Sequence, residues 1–117
     1  MNLESLREHL AIKVMGWKLP KGDNFYTQGT GANFSTIHVD DWNPPENIEQ
    51  ATGCLDAIVT TKIGWSLCVN CSPQKYVCKV HRWSLNGTRK SILGVEADHN
   101  KALASSIACA KATGWKE

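Results

Sequence analysis

The sequence predicts a mixed α+β domain: one antiparallel sheet of about four to five strands, covered by three helices. Three observations carry that expectation. Apolar residues recur at helical spacing in three separate stretches, and at strand alternation between them. The last strands are joined by connections too short for crossovers, so they must run antiparallel. The dipeptide Asn86-Gly87 is the strongest hairpin-turn signal in the chain.

Leu3, Leu6, Leu10 and Val14 share one helical face, which predicts a helix over residues 3–15 with Asn2 as its N-cap. Gly16 supplies a left-handed stop, and Trp17 then folds back onto the helix as a core anchor. Residues 19–32 are loop-like, with a short strand at Phe25-Tyr26-Thr27. Gly29-Thr30-Gly31 lacks the Gly-Lys-Ser/Thr ending of a phosphate loop and reads as a turn tip.

Residues 34–41 alternate, with Ile37 and Val39 on one side and Thr36, His38 and Asp40 on the other, as in a half-buried strand. Asp40-Asp41-Trp42-Asn43-Pro44-Pro45-Glu46-Asn47 then makes a strand-to-helix corner. Two prolines fix φ and remove two donors, so neither strand nor helix continues through them. Asn47 caps the next helix, over residues 48–62, with Gln50 in the reciprocal position of a capping box. Its stripe is Ile48, Ala51, Leu55, Ile58 and Val59.

A meander comes next, with strands at residues 65–70, 76–83 and 91–97 and turns at Ser72-Pro73-Gln74-Lys75 and Asn86-Gly87. Asp98 is the expected cap of a final helix whose stripe is Leu103, Ile107 and Ala110, ending at Gly114. Alanines at 102, 104, 108, 110 and 112 make that helix thin enough to pack close to a sheet. Periodicity leaves open whether the helices cover one sheet face or both.

Composition narrows function mostly by exclusion. A chain of 117 residues is one domain by size, 42% hydrophobic and 21% charged, as ordinary globular proteins are. A net charge of +2 with interspersed signs does not by itself indicate a nucleic-acid protein. The first residues carry acids and no apolar core of a signal peptide, and no apolar run has membrane length, so a cytoplasmic protein away from membranes is expected. Five cysteines, an odd number, favour free thiols in a reducing compartment.

Lys13-Val14-Met15-Gly16-Trp17 ends the first helix; Trp42-Asn43-Pro44, Asn47-Ile48 and Ala51 form the corner and open the second; Ala97-Asp98 leads into Ala102-Leu103-Ala104. In order and spacing these three places resemble the phage ABA sandwich domain family of small phage and prophage proteins. The resemblance spans nearly the whole chain. It implies a three-layer α-β-α sandwich, a phage or prophage origin and no established activity. The family pattern has Ser-Thr after the proline where this chain has Pro45-Glu46, so no role of those hydroxyls carries over.

Cys68-x-x-Cys71 followed by Cys78-x-x-His81 has the ligand types of a structural zinc site. Residues three apart on a strand point to opposite faces, and the spacing between the couples is short, so the plainer reading is a set of half-buried strand residues. The zinc-deaminase signature is absent, because His38-Val39-Asp40 has the wrong acid and Pro73 comes after the cysteines. A cysteine nucleophile with His38, His81 or His99 has no local support.

Arg82-Trp83 with Arg89-Lys90 makes a basic hairpin bearing an aromatic, able to stack a base and hold phosphate. Trp42 and Asn43, beside Asp40-Asp41 and His38, form a second candidate ligand-binding corner. The five tryptophans are a mild excess of the residue type that anchors interfaces. The leading expectation is a non-enzymatic binding protein without a cofactor, acting on a host or phage protein. The alternatives are a binder that sequesters a nucleotide signal and a zinc-stabilised module; an enzyme ranks last. A homodimer is the expected assembly if there is one.

Overall fold

The structure, a computed structural model, describes all residues except Met1, 29–34, Ile63, 72–74, 84–89, His99 and Glu117, and not the side chains of Asn70, Cys71, Lys90 and Ser91. It is α+β, with helices α1 (Leu3–His9), α2 (Ile48–Thr61) and α3 (Lys101–Ala112) and strands β1 (Phe25–Gln28), β2 (Ser35–His38), β3 (Trp65–Cys71), β4 (Tyr76–Trp83) and β5 (Lys90–Asp98).

The strands do not join into the single expected sheet. β1 and β2 form their own two-stranded ribbon, and β3-β4-β5 form a separate antiparallel sheet of three. The physical reason lies in the chain just after β2. Val39–Asp41 tighten into a turn of 3-10 helix, with the His38 ring accepting from the Asp40 N–H, and the proline corner then leads directly into α2. The ribbon is extended instead by Lys18, which exchanges two backbone hydrogen bonds with Thr27.

The first helix begins as expected, with the Asn2 side chain accepting from Ser5 N. Its second half widens into a π turn, Leu10–Val14, where Met15 N reaches back to Leu10 O. Gly16, at φ +73°, ends the helix in the left-handed region open to glycine, and Trp17 N returns to Ala11 O at 2.9 Å.

Asn47 caps α2 by accepting from Glu49 N and Gln50 N. Gln50 does not close the expected capping box. Its Oε1 accepts from Asn43 N and its Nε2 donates to Asp41 O, so it holds the corner rather than the cap. At the third helix the cap is Asn100, whose Oδ1 accepts from Leu103 N; Asp98, the expected cap, accepts from Asn100 N two residues earlier.

A three-layer sandwich puts its sheet in the middle, and here α3 sits there. Eight of its residues are buried, nearly all round the helix. One side packs on β4 and β5, and others meet α2 and α1. The alanines make α3 thin, and Gly94 of β5 lets it come close: a Cβ at Gly94 would lie 2.7 Å from Ala112 N. Ser105 Oγ donates to the Tyr76 hydroxyl at 3.2 Å, and Lys111 pairs with Glu96 at 3.1 Å. Leu6, Leu10, Ile58, Val80 and Ile107 fill the core around this helix.

Candidate functional site

Strand alternation gives β4 two faces. Tyr76, Cys78 and Val80 are buried and turn toward α3. Val77, Lys79, His81 and Trp83 belong to the other face. Cross-strand partners share a face, so Cys68 (opposite Lys79), Ser66 (opposite His81), Val95 (opposite Lys79) and Ile92 (opposite His81) join them. The register shifts between Val80 and His81, the mark of a β-bulge, which bends the sheet there.

α3 packs on the inner face, and no described helix is seen on the outer one, which is closed at His81, 4% exposed, and open at other positions. The outer face carries exposed apolar side chains. Trp83 is 42% exposed, Ile92 58% and Val95 41%. Trp83 Nε1 donates to Ser66 Oγ at 3.1 Å, which lays the indole diagonally across the strand rather than out into solvent. Lys79 contributes a charge to the face, and among its described side chains there is no acid.

The sequence-predicted site residues separate in space. Trp42 is 3% exposed; its Nε1 donates to Arg7 O at 2.9 Å, and its ring centroid lies 4.6 Å from that of Trp17. It is therefore a keystone between the corner and the π-turn helix. Asn43 donates from its side chain to Glu46 and from its backbone to Gln50, both within the corner. Arg82 and Trp83 are adjacent on β4 and project from opposite faces, so they do not form one cradle for a base and its phosphate. Arg89 and the Lys90 side chain lie outside the described parts, as do the Asn86-Gly87 turn, Gly29-Thr30-Gly31 and His99.

The zinc expectation meets the same geometry. Cys78 faces α3, while Cys68 and His81 belong to the outer face. Among the described residues no group of three or more His, Cys, Asp or Glu side chains is placed to hold a metal ion. Cys78 instead lies in the core cluster that also holds Cys54 of α2 and Cys109 of α3. Burial pushes the Cys54 thiol up to about 12 and Cys78 to about 11, and drives Cys109 well above its usual range. Such thiols stay protonated at neutral pH and pack as small apolar groups.

Sequence reasoning passed over a second feature. A cleft of about 230 Å³ opens between α1 and the β1–β2 ribbon, lined by Glu4, Arg7, Glu8, Asp23, Tyr26 and Asp40 among others. The one sequence signal for it was Glu4 and Glu8, like charges one turn apart on a helix face.

No protein-family model matches the chain, and no curated protein or solved structure matches it either. Its likeness to the phage ABA sandwich domain family therefore rests on the residues quoted for it. Among the described residues no helix is long and apolar enough to cross a membrane.

Proposed function

We propose that the protein is a non-enzymatic binding protein of phage or prophage origin that acts on a bacterial host or phage protein through the outer face of its three-stranded sheet. The observation that carries the reading is the set of exposed apolar residues on that face, around a buried His81. Trp83, Ile92 and Val95 adjoin one another across β4 and β5, where isolated exposed apolar residues would need no explanation. Trp83, at the end of β4, is of the residue type that most often anchors an interface. Charge gives the partner its chemistry. With Lys79 on that face and no described acid there, the complementary surface is apolar, with an acidic group opposite Lys79. The family resemblance, which implies no established activity, agrees with a role in binding rather than catalysis.

Val95→Glu tests this, because it places an anion in the middle of the patch and touches nothing on the α3 side. Affinity capture from bacterial lysate, run side by side with the unaltered protein, is expected to lose a specific partner in the variant. Equal capture by both overturns the proposal. Light scattering on the purified proteins separates a self-interface: a dimer that Val95→Glu splits assigns the face to a second copy and overturns the partner reading.

A further inference from the structure

We infer that the cleft between α1 and the β1–β2 ribbon binds a small linear polyamine. Four carboxylates line it, from Glu4 and Glu8 on α1 and from Asp23 and Asp40 on the opposite wall, against one guanidinium, Arg7. Asp23 is occupied by the backbone N–H groups of Asn24 and Phe25, and Asp40 stands 3.6 Å from the His38 ring. Glu4, Glu8 and Arg7 make no ion pair among the described residues. Glu4 and Glu8, one helical turn apart, repel each other, and a cation between them turns that repulsion into attraction.

Tyr26 supplies an independent observation. It is only 5% exposed, it lines the cleft, and its hydroxyl has no hydrogen-bond partner among the described residues. The ring is packed, and the hydroxyl, without a protein partner at the cleft wall, is open to a ligand donor there. Burial, then the charges of Glu8 and Glu4, raise its ionisation above the usual phenol range while Arg7 opposes them, so at neutral pH it is a neutral acceptor and donor set among these charged groups.

The arrangement of the carboxylates points to the cation class. The carboxylates do not converge into a group able to hold a metal ion. They lie on two walls of a cleft of about 230 Å³, below the usual range for drug-sized ligands. An aliphatic chain with ammonium groups at separated positions can pair with carboxylates of both walls.

Isothermal titration of the full chain with spermidine tests the inference, with ethylamine, a lysine-containing dipeptide and calcium as separate arms. Saturable one-to-one spermidine binding is expected, with Kd raised about tenfold in Glu8→Gln by loss of one charge-assisted hydrogen bond. A smaller rise is expected in Tyr26→Phe, which keeps the buried ring and removes the hydroxyl. The result that overturns it is no spermidine heat, or heat unchanged in both variants. Binding of the dipeptide or calcium in place of spermidine also overturns it, assigning the cleft to a protein side chain or a metal.

Discussion

Two faces of one three-stranded sheet obey opposite rules. On the inner face Tyr76, Cys78 and Val80 of β4 are buried, and the fit to α3 is close enough that Gly94 has no room for a methyl group. On the outer face, on the same strands and one residue out of phase, Trp83, Ile92 and Val95 remain 40–60% exposed and nothing described packs on them. The inner face accounts for the fold. The outer face has no such account within the fold, which is why it is the place to look for function.

The comparison breaks most readily at Gly94. Gly94→Ala drives a Cβ against the backbone of α3, where no rotamer change relieves it. It is expected to cost about 3 kcal/mol in urea unfolding. An unchanged midpoint contradicts the close approach of helix and sheet. The two tryptophans sharpen the contrast at lower amplitude. Trp42→Phe removes a part-buried hydrogen bond to Arg7 O and is expected to cost about 1–2 kcal/mol. Trp83→Phe removes only an exposed bond to Ser66, and its stability is expected within about 0.5 kcal/mol of the parent. Equal losses in the two would erase the distinction between keystone and surface.

Acid gives a third handle on the packed side. His9 Nε2 lies 2.8 Å from Thr113 Oγ1, which donates onward to the α3 carbonyls, so the ring is read as the Nε2–H donor. Burial, then Lys13, lowers the His9 pKa, opposed by its contact with the Ala110 backbone. The unfolded chain therefore takes up the proton first, at about pH 6.5. Stability is expected to fall as the pH drops through that range and to level off below the folded value. Urea midpoints at successive pH values check this, with a shallower slope expected for His9→Gln. The smallest effect is expected at Val95→Glu, whose melting temperature should stay near the parent's while partner capture is lost.

Much of the fold was legible because its signals are local. Gly16, Asn47 and Gly114 act as the sequence indicates, and each strand of the meander appears within a residue or two of its alternation. Two features were not legible, for related reasons. Whether β2 joins the larger sheet depends on long-range pairing, and the alternation of Ile37 and Val39 gives no sign that Val39–Asp41 coil into a helical turn. Which layer is central depends on which helix is thin enough to be surrounded. The alanines of α3 showed that it could pack closely, without showing that it packs on nearly every side.

The candidate site was legible in part. Trp83 was singled out, and β4 places it on the open face; Trp42 was singled out for the same aromatic character, and the corner encloses it. Residue type cannot separate the two cases, because both indoles have a donor to satisfy. Val95 and Ile92 look like core residues in the sequence. They are exposed because no described helix covers that side of β5. The cleft depends on Glu4 and Glu8 meeting Tyr26 and Asp40 across the fold, a juxtaposition that sequence spacing does not encode.

The claim that the outer face is where a partner docks is tested most directly by photo-crosslinking. A photoreactive phenylalanine analogue is placed at position 95 on that face and, in a second protein, at position 52 on the exposed side of α2. In bacterial lysate, position 95 is expected to give a discrete adduct with a heterologous protein and position 52 to give none. An adduct from position 52 alone, or none from either, contradicts the account.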